Sequence, residues 1–230
     1  MSSRGRSAAR AAPADTKSQI KTAARLLFAR HGVDAVTIQQ IVAAAGQRNN
    51  AALHYHFGSK EELIRQLVVD GAAVLDERRQ EMLRVLDARG GPATVREVLL
   101  VLVMPVVELS NDERWRGYIR FIASLQASHR EALREALGGR WNAGYVACFD
   151  HLKRLLPLPA PLVEQRLSIV SIYANAILSA QDAALEARPR RRNRLWDQRF
   201  TVENILDTLE GTITCAPSTE TLAMLNASEP

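Results

Sequence analysis

The sequence predicts an all-α protein on three observations. Apolar residues recur at i, i+3, i+4 and i+7 in one stretch after another, the stripe of an amphipathic helix. Ser or Thr followed three residues later by Glu or Gln stands ahead of several stripes, the pattern of a capping box. No segment alternates apolar and polar residues between hairpin turns, so strands are not expected. At 230 residues and 47% hydrophobic, the chain can bury a real core in one or two domains.

Residues 1–14, MSSRGRSAARAAPA, are small, basic and aperiodic, and are expected to form a disordered arm. Thr16 and Gln19 then make a capping box ahead of Ile20, Ala23, Ala24, Leu27 and Phe28, a helical stripe that ends at Gly32. Thr37 and Gln40 repeat the box before Ile38, Ile41, Val42 and Ala45, and Gly46 stops that helix. A second short helix carries polar Arg48, Asn49 and Asn50 at its start, with Leu53 and Phe57 on its inner face. Two short helices joined by a glycine turn have the form of a DNA-reading helix-turn-helix, whose second helix lies in the major groove. Ser59 and Glu62 open a long helix from Lys60 to about Ala88, broken by Gly90-Gly91-Pro92.

Further helices are expected near 93–109, 112–127, 130–155, 160–187 and 198–214. Ser110/Glu113 and Ser128/Glu131 would cap two of them, and Pro105 should kink the first. Six of the twelve aromatics lie between Trp115 and Phe149: Trp115, Tyr118, Phe121, Trp141, Tyr145 and Phe149, the last three spaced for one face of one helix. They suit either ordinary core or a ligand cavity between helices, with Asn142, His129 and His151 as candidate polar contacts. The last two helices carry one stripe each, Leu162, Val163, Leu167, Val170, Ala174, Ile177 and Leu178, then Phe200, Val202, Ile205, Leu206, Leu209 and Ile213. Paired with a second copy they would build a four-helix bundle; the alternative is intrachain core. Arg188, Arg190, Arg191, Arg192 and Arg194 between those helices are expected in a solvated loop, and residues 217–230 in a flexible tail.

The net charge of +5 is uneven. Residues 1–31 hold seven basic residues against Asp15 alone, while the remainder has 23 basic against 24 acidic. The excess lies beside the helix-turn-helix, where a polyanion would bind. No nucleophile elbow, phosphate-cradling glycine loop or zinc-protease helix is present, so an enzyme is not expected, nor a cofactor or metal. Two cysteines without metal-ligand spacing, no secretory signal and no apolar run of about 20 residues point to the cytoplasm, close to the nucleoid. Within the reading helix, Arg fits guanine and Asn fits adenine, so Arg48, Asn49 and Asn50 are expected at base edges, with Gln47 beside them.

The ordered set FARHG, V-T-I-x-x-I-x-x-x-A-G and Y-H-F-G-S-K-E-E-L, over residues 16–68, resembles the amino-terminal domain of tetracycline-repressor-type (TetR) transcriptional regulators. One departure is that ten residues separate Gly46 from Phe57, one more than the usual family spacing, and Gln47 stands where a small apolar residue is common. The resemblance implies a DNA-binding domain at 15–70 joined by a long helix to a larger helical ligand-binding and dimerisation domain at 71–216. It implies phosphate contacts by Thr37, His54, Tyr55 and Lys60, and dimerisation through the last two helices, with Leu167, Val170, Ala174, Ile177, Leu178, Ile205 and Leu209 at the interface. It further implies a homodimer on a near-palindromic duplex, released when a small apolar or aromatic effector enters the larger domain and tilts the long helix. The alternative is a sequence-tolerant architectural DNA binder, or a ligand-binding relative without operator recognition.

Overall fold

The computed structural model describes residues 13–186, 195–196 and 198–227. The arm expected ahead of residue 13 and the arginine-rich connection at 188–194 lie outside the described residues. The described chain contains helices α1 (Pro13–His31), α2 (Ile38–Ala44), α3 (Ala51–Phe57), α4 (Lys60–Asp87), α5 (Val95–Asn111), α6 (Tyr118–Ser128), α7 (Arg130–Leu137), α8 (Ala143–Leu155), α9 (Ala160–Glu186), α10 (Thr201–Thr214) and α11 (Thr219–Ala227). It has no strand among the described residues. Two compact units result. The first runs through Val74 and takes in Leu109–Asn142; the second comprises Leu75–Glu108 and the chain from Ala143 onward. α4 therefore contributes to both, and α6 and α7, which the sequence boundary at residue 70 assigns to the larger domain, belong with the helix-turn-helix.

In the first unit the core is built from Ile20, Ala24 and Phe28 of α1, Ile41 and Val42 of α2, Leu53 and Phe57 of α3, and Leu63 and Leu67 of α4. α6 closes it: Phe121 stacks on Phe28 with ring centroids 5.7 Å apart. The buried side chain of Arg25 reaches from α1 to the carbonyls of Arg114 (2.5 Å) and Arg116 (3.1 Å). Gly117 takes φ of +84° there, and the helix expected from residue 112 starts only at Tyr118, after a 3-10 turn at Glu113–Trp115. Asp112, not Ser110, caps that turn, accepting from the Arg114 amide at 2.9 Å, while Ser110 is buried inside α5.

Other boundaries also move. α1 begins at Pro13, a residue whose fixed φ suits the first helical position, and Gln19 donates to Asp15 (2.9 Å), so Thr16 lies inside the helix instead of capping it. Helix 130–155 is two helices, because Gly138 and Gly139 take φ of +54° and +69° and end α7 in left-handed backbone. His129 holds the start of α7 without a side-chain cap, while Glu131 pairs with Arg134. Ser59 caps α4 through the Glu62 amide (3.1 Å), but the Glu62 carboxylate turns to Arg65 instead of completing the box. α11 occupies most of the segment expected as a tail; Ser218 accepts from the Thr221 amide (3.2 Å) at its start.

In the second unit α5 continues on both sides of buried Pro105. α8 packs on α4 so closely that a Cβ added at Gly144 would lie 2.8 Å from Arg79 Cβ, and Asp76 accepts from the Gly144 amide at 2.7 Å. α9 and α10 bury Leu167, Val170 and Leu178 with Ile205, Leu206, Leu209 and Ile213. Arg96 of α5 forks to Glu203 (2.6 Å), Asp207 (2.7 Å) and Glu210 (3.1 Å) along α10.

Candidate functional site

The turn between α2 and α3 is the most distinctive surface of the first unit. Thr37 and Gln40 form the expected box: the Gln40 amide donates to Thr37 Oγ1 (3.2 Å), and the Thr37 amide donates to Gln40 Oε1 (2.8 Å). The second bond occupies the Thr37 amide within the box. Arg48, Asn49 and Asn50 are exposed and precede α3 instead of forming its first turn. Asn49 Oδ1 accepts from the Ala51 amide (3.1 Å), a local turn that leaves its NH2 group outward. Arg48 and Asn50 make no side-chain hydrogen bond with another described residue. On α3 itself Tyr55 is 83% exposed, edge-on to His56 at 5.0 Å. His54 Nδ1 lies 2.9 Å from the Gly58 carbonyl, at the end of α3.

Gln47 and Lys60 face inward. Gln47 Nε2 donates to Gln19 Oε1 of α1 (3.3 Å), which explains a polar residue at that place. Lys60 Nζ donates to the Val33 carbonyl (2.6 Å) and lies 5.8 Å from the Phe28 ring centroid. Two cations of the basic first helix are likewise structural, since Lys21 pairs with Asp70 (2.5 Å) and Arg25 holds the loop before α6. Hydrogen bonds from Arg65 and then Gln66 hold the Glu62 carboxyl down at about 2, so this helix start keeps its negative charge through neutral pH.

The predicted aromatic set is divided. Trp115, Tyr118 and Phe121 pack in the first unit, where Arg25 lies 5.8 Å from the Trp115 ring and Tyr118 donates to the Val68 carbonyl (2.9 Å). Trp141 and Asn142 precede α8, both half-buried, with the Arg140 guanidinium 4.6 Å from the Trp141 ring. His129 pairs with Asp34 (2.9 Å) beside a groove of about 510 Å³ in the same unit. His151 is bonded to Arg154 (2.8 Å). Tyr145 and Phe149, tilted rings 4.5 Å apart, line a cavity of about 60 Å³ in the second unit. Its polar lining adds Arg79, Ser171 and Asn175, which sequence reasoning missed. The available signal was the pair Ser171 and Asn175, one turn apart and interrupting an apolar stripe. Tyr145 OH lies 3.1 Å from Ser171 Oγ, and burial raises the Tyr145 pKa and pushes that of Cys148 up to about 12.

Among the residues expected between copies, Leu167, Val170, Leu178, Ile205 and Leu209 are buried within the second unit, and Ala174 and Ile177 are half-buried. The outward face of α9 carries Ser168, Ile169, Ile172, Ala176 and Ala180 instead, with Ile172 68% exposed. α10 exposes Asn204, Thr208 and Gly211, and Cys215 just after it is exposed as well.

Residues 20–67 match the family described as bacterial regulatory proteins, tetR family. Transcriptional repressor AcnR of Corynebacterium efficiens is 35% identical over 69 residues, 30% of this chain and 36% of that protein. AcnR of Corynebacterium glutamicum is 36% identical over 65 residues, 28% and 34% of the two chains. The chain thus matches about a third of the length of these relatives. Among solved structures, the probable transcriptional regulatory protein RHA5900 superposes with a TM-score of 0.55 at 17% identity, covering 88% of this chain and all of the other. Salmonella enterica GusR does so with 0.50 at 18%, covering 89% and 98%. At such identities the likeness is one of fold. Among the described residues no helix is long and apolar enough to cross a membrane.

Proposed function

We propose, because residues 20–67 match the tetR family of bacterial regulatory proteins, that the chain represses transcription by binding a near-palindromic operator as a homodimer. The observation that carries this reading is the exposed cluster Arg48, Asn49, Asn50 and Tyr55 on and just before α3, beside Gln47, which ties the turn to α1. Three of these side chains suit base edges and the fourth suits a phosphate or sugar, so one surface supplies both readout and positioning. Thr37 and His54 brace the ends of α2 and α3 and meet the backbone only by giving up local bonds.

Dimerisation uses the outward faces of α9 and α10. Ile169 and Ile172 are large apolar side chains that water would otherwise cover, and the small residues around them permit close helix approach. The effector site is the cavity lined by Tyr145 and Phe149. Regulation requires that the effector favour one head spacing over the other by several kcal/mol.

Fluorescence-anisotropy titration of the full chain against duplexes tiled across its own upstream region, at two salt concentrations, tests the reading. A regulator binds one near-palindromic segment as a dimer and discriminates it from scrambled DNA by about a thousandfold or more. Equal affinity for every duplex, collapsing with salt, would replace operator recognition with architectural binding.

A further inference from the structure

We infer that the exposed tip divides its work: Arg48 reads a guanine, Asn50 reads an adenine, and Asn49 between them is a positioning residue that fixes where α3 begins. The inference rests on the reading of this tip as the operator-binding surface, and it gives each residue there its own role. The backbone supplies the first observation. Asn50, directly before α3, has right-handed helical dihedrals, φ −68° and ψ −15°, and makes no side-chain capping bond. Its carbonyl accepts from the amides of Leu53 (3.1 Å) and His54 (3.2 Å). Asn49 does the capping instead. Its Oδ1 accepts from the Ala51 amide two residues on (3.1 Å), the bond that a capping side chain makes. The other flank is fixed too: Gly46, at φ +69°, and Gln47 donate their amides to the carbonyls of Ala43 (3.0 Å) and Val42 (2.9 Å), closing the end of α2.

Chemistry then separates the two asparagines. A carboxamide selects adenine by using both ends, its oxygen accepting from N6 and its NH2 group donating to N7. Asn49 has its oxygen committed to the Ala51 amide, so it offers donors alone. N7 is an acceptor on adenine and guanine alike, so a donor there meets any purine, or a phosphate, without telling sequences apart. Asn50 is exposed and makes no side-chain hydrogen bond with another described residue, which leaves both ends of its carboxamide open. The same holds of Arg48, whose forked donors match the O6 and N7 acceptors of guanine. Between Asp34 and Glu61 the chain has no acidic residue, so α2, the turn and α3 carry no carboxylate of their own to compete for these donors.

Anisotropy titrations of the full chain on its tightest duplex, and on copies with each base pair replaced in turn, give the preference at every position. Asn50→Ala should lose about tenfold or more of discrimination at one A·T pair and leave the others unchanged. Arg48→Ala should do the same at one G·C pair. Asn49→Ser keeps a capping oxygen and removes the NH2 group, so every preference should stay within about twofold of native. Asn49→Ala removes the cap; it should unfold at lower urea than the native chain, and Asn49→Ser should restore the midpoint. The same urea curves establish that each variant is folded. Loss of a base preference in Asn49→Ser, a native profile in Asn50→Ala or Arg48→Ala, or equal midpoints for Asn49→Ala and the native chain would overturn the division. A native chain that binds every duplex alike would reject operator recognition itself, and both base-reading roles with it. Clear native preferences that survive in Asn50→Ala and Arg48→Ala would reject the division alone.

Discussion

Gly71→Ala should destabilise the protein by about 3 kcal/mol, although it replaces glycine with a better helix former in the middle of α4. An ideal Cβ at Gly71 would lie 2.3 Å from Cε2 and Cζ of Tyr118 and 2.7 Å from Cε1. Ordinary carbon contacts fall near 3.5 Å or more, so the overlap is roughly 1.2 Å. Tyr118 is fully buried, with Trp115 at 5.8 Å and Phe121 at 6.3 Å between ring centroids, and its hydroxyl is bonded to the Val68 carbonyl. Retreat of the ring would break that buried bond, at a cost of about 1–3 kcal/mol. Overpacking with the ring held in place costs a similar amount, about 1–3 kcal/mol. Against either stands about 1 kcal/mol gained from helix propensity. A partial retreat incurs both costs: about 2 kcal/mol for each, less the gain of about 1, leaves a net loss of about 3 kcal/mol.

Urea unfolding followed by far-ultraviolet circular dichroism would measure the loss, at one fixed protein concentration because association adds to apparent stability. The control is the same substitution in a Tyr118→Ala background. With the ring removed, Gly71→Ala should become neutral or stabilising by up to about 1 kcal/mol. If Gly71→Ala costs less than about 0.5 kcal/mol in the native background, or the same in both backgrounds, the seating of Tyr118 on α4 is wrong.

Arg48→Ala should weaken operator binding by about tenfold or more and relax preference at one base pair, read by anisotropy on singly substituted duplexes. Ile172→Glu should place a charge on the face proposed between copies and raise the dimer dissociation constant by about a hundredfold, seen by light scattering; an unchanged dimer would remove α9 from the interface. One thiol per chain, Cys215, should react rapidly with a disulfide reagent at pH 8, whereas Cys148, buried and held near 12, should react only on unfolding. Glu62→Gln should be less stable than the native chain at pH 6. The folded Glu62 carboxyl is depressed to about 2 from 4.5, so its contribution is present above 4.5 and is lost as pH falls toward 2. The gap should therefore close over that window, and a gap that persists at pH 2 would rule out the ion pair as its cause.

The α2–α3 motif was legible because its signals are local. Thr37 and Gln40 lie three residues apart, Gly46 follows the last apolar position, and Leu53 and Phe57 share a face by helical period; each acts over one turn. The exposed cluster at Arg48, Asn49 and Asn50 was legible for the same reason. The break ahead of Tyr118 was less so, because part of what holds it lies far away in sequence. A buried guanidinium from Arg25, about ninety residues away, holds the carbonyls ahead of Tyr118.

An apolar stripe records that a face is buried and is silent about what buries it. Leu167, Val170, Ile205 and Leu209 satisfied the pattern of a dimer seam, yet they close the second unit's own core and leave Ile169 and Ile172 outward. Trp115, Tyr118 and Phe121 looked equivalent to Tyr145 and Phe149 by composition, but packing sent the first three to the first unit and only the last two to the cavity. Gln47 and Lys60 had the chemistry of DNA contacts and became anchors, because a carbonyl and a carboxamide from neighbouring segments reached them. The sequence by itself determined the all-α class, the α2–α3 turn with its capping box and the exposed polar cluster at its tip. Tertiary structure decided which stripe met which, and with it the cavity, the outward face and the place of Gln47, since period and propensity act within a helix while packing is chosen among all the faces the chain makes available.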